Sequence, residues 1–258
     1  MHYAIPISQR LRKLIKSLHH KQFRDENEMF LAEGEKLCAE IFKSNYDADL
    51  VVIKDSPTAE VASLADRYAA KGVPIYTAPK HQFDQMCDTR SPQGIIAVVP
   101  RRDLEPDPDA PFIVLDGVQD PGNMGTIIRT ADWFGYRQIV VGNEAADLFN
   151  PKTVRSTMGS LFRTKVFYAE DLADFIKSNF PEHELYGATL RAKATLQSVE
   201  PDKKFGLVMG SEAHGISKKI GRMTKNKFRI EGDNRTESLN VAIALGIVLY
   251  HFSNKLGK

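Results

Sequence analysis

The chain has 258 residues, 42% of them hydrophobic, which is enough for two domains with buried cores and too apolar for wholesale disorder. Its formal net charge is only +2, with 35 Lys and Arg against 33 Asp and Glu, so no global field selects a partner. The basic residues are nevertheless unevenly placed. Residues 1–24 hold Arg10, Arg12, Lys13, Lys16, Lys21 and Arg24 and no acid, an arm suited to a polyanion, with a solvated helix face as the alternative. Within it Ile7, Leu11, Leu14, Ile15 and Leu18 form one helical stripe, and the cations lie mostly off it.

Short units then alternate. Strands are expected at 29–34, 48–53, 73–78 and 94–100, and helices at 35–44 and 58–70, the second closed by Lys71-Gly72. The stretch "PRRDLEPDPDAP", 100–111, carries four prolines, which supply no backbone donor and restrain the residue before them, so it is expected as a linker dividing the chain near residue 105. Beyond it, strands are expected at 112–116, 138–142, 164–169, 184–189, 205–210 and 227–230, with helices at 124–134, 170–179 and 238–253. Strands alternating with helices predict an α/β fold with a largely parallel sheet covered on both faces. There is no internal repeat.

The two cysteines, Cys38 and Cys87, form no CxxC motif and no disulfide scaffold, which fits a reduced cytoplasm. The N-terminus lacks the apolar core of a signal peptide, and the longest apolar stretch, 241–250, is far short of the roughly 20 residues that cross a bilayer; it is expected as a buried helix. The seven histidines form no HxxxH or Cys/His cluster, so no metal site is expected.

Three stretches carry chemistry. In "LDGVQDPGNMGTIIRTADWFG", 115–135, Asp120-Pro121-Gly122 reads as a turn, Asn123 as an N-cap and Gly135 as a left-handed helix end. Arg129 lies two turns in; a surface arginine on a capped helix is the plain alternative. In "VMGSEAHGIS", 208–217, a buried strand runs into Gly210, Glu212 and Gly215, at the carboxyl end of a parallel strand, where ligands bind; a loop with a solvated acid is the other reading. In "FRIEGDNRTESLNVAIALGIVLY", 228–250, Ser238 reads as the N-cap of an apolar helix, and Asn240 stands where a better helix former would serve.

Together these resemble the motifs of the SpoU (TrmH-like) 2′-O-ribose RNA methyltransferases of the SPOUT superfamily. The matching residues are N-x-G-x-x-x-R-T-A from Asn123, M-G-S-E-x-x-G from Met209 and S-L-N-V-A from Ser238, in family order. The segment "NPKTVRSTMGSLFR", 150–163, looks like the stretch between the first two motifs. Glu33-Gly34 and "SPQGI", 91–95, more loosely resemble the L30e-like substrate-binding domain that many members carry. Glu231 departs from the family, where proline often follows the strand.

The resemblance implies an L30e-like RNA-binding domain over 1–100, a linker over 101–111, and a methyltransferase domain with a deep trefoil knot over 112–258. It implies S-adenosyl-L-methionine held by Thr189, Leu190, Gly210, Ile230 and Leu239, and a homodimer with active sites near the subunit contact. It makes RNA, ribosomal or transfer, the substrate, with the basic arm selecting it. Arg129 would engage a phosphate and the developing ribose oxyanion, since a guanidinium is a poor free base. Asn123, Glu212, Ser238 and Asn240 would orient arginine, ribose and cofactor. A SPOUT enzyme acting on a base nitrogen, a non-catalytic RNA-binding protein, and a Rossmann oxidoreductase are the rival readings; the last lacks its G-x-G-x-x-G fingerprint.

Overall fold

The apolar runs bounded by turn residues form strands, and the stretches with a one-sided apolar stripe form helices. The computed structural model describes residues 4–233 and 237–257, and these fall into two units. One unit takes the residues up to Asp103 together with Asp147–Phe162; the other takes Leu104–Ala146 and the described residues from Arg163 on.

The first unit runs β1 (Ile5–Pro6), α1 (Gln9–Ser17), α2 (Lys21–Asn27), β2 (Met29–Glu33), α3 (Glu35–Phe42), β3 (Leu50–Lys54), α4 (Ala59–Ala70), β4 (Ile75–Ala78), α5 (Lys80–Asp84) and β5 (Ile95–Pro100). Its sheet has the order β1-β4-β3-β5-β2, parallel through the first three strands and antiparallel at β5. Ser8 caps α1 by accepting the Leu11 N–H, and the predicted stripe buries Ile7, Ile15 and Leu18. Asp147–Phe162 packs here although in sequence it lies inside 112–258. Its Phe149 and Phe162 rings meet Phe30 at 4.7 and 6.4 Å, and Phe162 meets Tyr46 at 5.4 Å.

Arg10, Lys13, Lys16 and Lys21 are exposed and Arg12 is half-buried, but Arg24 corrects the expectation of a free basic arm. It is 1% exposed, pairs with the Asp147 carboxylate and donates to the Leu18 carbonyl at 2.8 Å. A buried guanidinium must have such partners, so this cation holds the unit together and is not offered to a phosphate.

The second unit opens with β6 (Phe112–Asp116), α6 (Pro121–Trp133) and β7 (Gln138–Gly142). After the Asp147–Phe162 segment, which contains α7 (Pro151–Ser156), come β8 (Lys165–Ala169), α8 (Leu172–Asn179), β9 (Glu184–Ala188), β10 (Ala194–Thr195), β11 (Phe205–Gly210), α9 (Lys218–Met223), β12 (Asn226–Arg229) and α10 (Val241–Lys255). The sheet order is β10-β12-β9-β11-β6-β7-β8, and every pairing is parallel. Its central strands are continuous apolar runs because helices cover both faces. The proline-rich stretch is anchored to this unit: Leu104 packs on its core, and the Gln138 amide accepts the Asp107 N–H at 2.7 Å while donating to the Asp107 carbonyl at 3.0 Å.

Two helix starts differ from expectation. Asp120, not Asn123, caps α6: its carboxylate accepts the Asn123 N–H, and Pro121 fills the first helical position, where no donor is needed. Asn240, not Ser238, caps α10 by accepting from Ala242 and Ile243. Gly135 closes α6 at φ 77°, as expected. α10 is apolar all round yet buries one face only. Leu245, Val248, Leu249 and Phe252 are inside, whereas Ile243, Ile247 and Tyr250 are exposed.

Candidate functional site

Parallel strands all end on one edge of the sheet, so the loops that follow them gather there. Gly210 stands beside Asp116, Val208 beside Gly187 and Phe228 beside Ala188, which brings the ends of β6, β9, β11 and β12 to a common edge.

The loop after β11 folds back on itself. Ser211 and Gly215 exchange backbone hydrogen bonds of 3.2 and 2.9 Å. A Cβ on Gly210 would lie 2.2 Å from the Gly215 carbonyl carbon, so only glycine lets the strand meet its own loop. The Asp116 carboxylate accepts the Ser217 N–H at 2.6 Å and ties this loop to the end of β6. Neither Asp116 nor Asp120 stood out in the sequence as part of the site, although an acid before Pro121 is a recognised helix-start signal.

Three of the predicted polar residues form one chain. Asn240 Nδ2 donates to Asn123 Oδ1 at 2.9 Å, and Asn123 Nδ2 donates to Glu212 Oε1 at 2.6 Å. The direction is fixed from one end, because Asn240 Oδ1 is committed to the first N–H groups of α10. Its amide must therefore donate outward, and the Asn123 amide must pass that polarity to Glu212. The link to the carboxylate is charge-assisted, hence short.

Arg129 lies on α6 six residues beyond Asn123, about 9 Å along the axis. It is exposed and has no hydrogen bond or ion pair with another described residue. By contrast, Arg137 and Arg163 each donate to Asp132 at 2.9 Å. An arginine held by no other described residue keeps its planar fork for a ligand. Ser238 is exposed two residues ahead of the α10 cap.

The predicted cofactor residues occupy the same edge. Thr189 follows β9 and donates its N–H to the Phe228 carbonyl at 2.8 Å; Ile230, half-buried, follows β12. Leu190 is 67% exposed and Leu239 46%. Exposed leucines on loops at the strand ends suit a ligand with an apolar or aromatic body that is gripped through main-chain groups, and S-adenosyl-L-methionine fits that description. Among the described residues no group of three or more His, Cys, Asp and Glu is placed to hold a metal ion, and no helix is long and apolar enough to cross a membrane. The predicted RNA-binding cations belong to the first unit.

Comparison with known proteins gives concordant matches. The model of the SpoU rRNA Methylase family matches residues 110–250, and that of the MRM3-like substrate binding domain matches 11–97. The 23S rRNA (guanosine(2553)-2'-O)-methyltransferase RlmP of Bacillus subtilis is 33% identical over 92% of this chain and 93% of its own. The 23S rRNA (guanosine-2'-O-)-methyltransferase RlmB of Escherichia coli is 27% identical over 78% of this chain and 88% of its own. The AdoMet-bound rRNA methyltransferase of Sinorhizobium meliloti superposes with a TM-score of 0.86 at 29% identity, covering 98% of this chain and 97% of that one.

Proposed function

Because the chain belongs to the SpoU rRNA methylase family, we propose that it methylates a ribose 2′-hydroxyl in ribosomal RNA of the 23S type, with S-adenosyl-L-methionine as donor. The observation that carries this reading is the chain Asn240–Asn123–Glu212 on the edge where Arg129 projects with no partner among the described residues.

Thr189, Leu190, Gly210, Ile230 and Leu239 would hold the cofactor, which supplies a methyl group already activated on a sulfonium. What remains for the protein is alignment and charge. Arg129 donates to the phosphate next to the target ribose and to the 2′-oxygen as its negative charge develops. The asparagine pair and Glu212 fix the α6 and α10 starts relative to the 211–217 loop, so that the nucleophile meets one geometry. Ser238, exposed just ahead of the α10 cap, faces the ribose.

Finer features belong to the same reading. The second unit forms a deep trefoil knot, which the out-of-sequence order β10-β12-β9-β11-β6 supports. The first hundred residues form an L30e-like substrate domain, 101–111 links it to the methyltransferase domain at 112–258, and the protein works in the cytoplasm. It acts as a homodimer: the exposed apolar stripe Ile243, Ile247 and Tyr250 on α10 is the kind of surface a second copy covers. The test is a labelled-methyl assay on 23S rRNA from cells lacking the gene, followed by digestion to nucleosides. A 2′-O-methylated nucleoside is expected; label on a base would sink the assignment.

A further inference from the structure

A cavity of about 250 Å³ lies wholly within the first unit, between the start of α3, the 87–95 loop and the segment that carries α7. Its walls are built around a buried carboxylate. Glu33 accepts the Asp88 N–H at 2.9 Å on one oxygen, and the Thr89 N–H and hydroxyl, both at 3.3 Å, on the other. Glu33 is thus spent on holding the loop. The loop in turn holds a cation: Asp88 accepts from Arg155 Nη2 at 2.7 Å, while Arg155 Nη1, itself buried, has no hydrogen-bond partner among the described residues. Lys36, exposed on the first turn of α3, lines the same cavity and pairs with no described residue.

The turn that follows Arg155 is apolar and strained. Met158 sits at φ 52°, a left-handed conformation that a non-glycine residue adopts at a cost, and its side chain is 38% exposed. Gly159 follows at φ 97°, with so little room that a Cβ would lie 2.5 Å from Glu40 Cγ on α3. The turn is therefore pressed into place, and it presents an exposed methionine to a cavity that Pro92 also lines. Gln93 Oε1 accepts the Glu35 N–H at 3.2 Å, which leaves its amide nitrogen as a donor. Burial pushes the pKa of the Cys87 thiol, which lines the cavity, above its ordinary range.

Cationic donors and an exposed apolar methionine lining one cavity match a phosphate with its base attached. We infer that this cavity receives one unpaired nucleotide of the RNA substrate, with its phosphate on Arg155 and Lys36 and its base against Met158 and Pro92. The inference rests on the proposed RNA methyltransferase function and adds the place where the first unit reads the substrate.

The test uses the full-length chain, a 23S rRNA fragment and a short unstructured oligonucleotide, with affinity measured across salt concentrations. Lys36→Ala and Arg155→Ala should each weaken binding about tenfold, as loss of a charged hydrogen bond does. Together they should flatten the slope of log affinity against log salt by about 0.7, because one phosphate of an unpaired strand no longer releases its counterions. Met158→Ala should weaken binding with no change of slope, since it removes only an apolar contact. S-adenosyl-L-methionine affinity should stay at the wild-type value throughout. Lys36 and Met158 are exposed, so their variants keep the test intact even where Arg155→Ala disturbs the fold. Unchanged affinity and slope in Lys36→Ala, with unchanged affinity in Met158→Ala, would overturn the inference. If these residues govern RNA binding but no 2′-O-methyl product forms, the cavity stands and the assigned reaction falls. If product forms at the wild-type rate at limiting RNA in the triple variant, the reverse holds.

Discussion

Asn123 is the joint of the polar chain, so its replacement separates a geometric role from a merely structural one. Asn123→Ala removes one neutral hydrogen bond, from Asn240, and one charge-assisted bond, to Glu212. Both lie at the surface, where water takes over, so the stability loss should be at the low end of the usual ~0.5–1.5 kcal/mol per bond. Alanine inside the first turn of α6 recovers roughly 0.5 kcal/mol through helix propensity. The net change is about 1 kcal/mol or less, a shift of about 2–4 °C in Tm for a protein of this size. The rate should suffer far more, because misplacing the start of α6 by about 1 Å can cost roughly 10²-fold. Asn123→Asp is the sharper variant. It is nearly isosteric but sets a carboxylate against Glu212, raising one of the two pKa values. Its activity relative to wild type should therefore recover as pH falls, when one carboxyl regains a proton to donate. Thermal melts and single-turnover methyl transfer measure both. A kcat within about threefold of wild type for Asn123→Ala, or a Tm loss well beyond 4 °C, would refute the reasoning.

Arg129→Ala should abolish methyl transfer while S-adenosyl-L-methionine affinity, measured by calorimetry, stays within a few-fold, and an RNA carrying deoxyribose at the target should give no product. Gly210→Ala should destroy cofactor binding, because its Cβ would fall 2.2 Å from backbone that cannot move aside; calorimetric affinity close to wild type would contradict this. Arg24→Ala should cost about 3–5 kcal/mol in chemical denaturation, as for a broken buried pair, yet leave the salt dependence of RNA binding unchanged. Burial holds the His183 imidazole below its ordinary range, outweighing the hydrogen bond to the Ala110 carbonyl. The folded chain therefore binds fewer protons than the unfolded one below about pH 6.5, and stability should fall as pH drops through that window; His183→Asn should flatten the fall.

The long elements were legible because their patterns are strong. The runs 112–116, 138–142 and 205–210 are unbroken apolar stretches ended by glycine or acid, and each is a central strand. The helices α2, α5, α7 and α9 were not anticipated. They span five to seven residues each, and each buries only one to three of them, too little to establish a period. The start of α6 was readable: Asp before Pro is a cap signal, and preferring Asn123 overlooked it. The exposed face of α10 was not, because a helix that is apolar all round looks the same whether a core or a partner covers it. Within the site, the motif residues could be named from resemblance alone, but their hydrogen bonds join positions about a hundred residues apart. No spacing rule reports that Asn123 stands between Glu212 and Asn240. Arg24 shows the converse. Its composition placed it in a basic arm, and a carboxylate at Asp147 took it out.

The first unit's discontinuity also bears on how the chain is made. Domains tend to fold as they leave the ribosome, N-terminal first. Here the amino-terminal sheet is finished early, but Phe149 and Phe162, which cover Phe30 and Tyr46, are encoded after β6, α6 and β7. At ordinary translation speeds that leaves an uncovered aromatic face on the nascent chain for on the order of a few seconds. During that interval the growing protein is sticky at one defined place. A ribosome stalled before codon 162 would release a fragment whose first unit lacks its own last segment, a natural client for chaperones and a poor candidate for expression as a stand-alone domain.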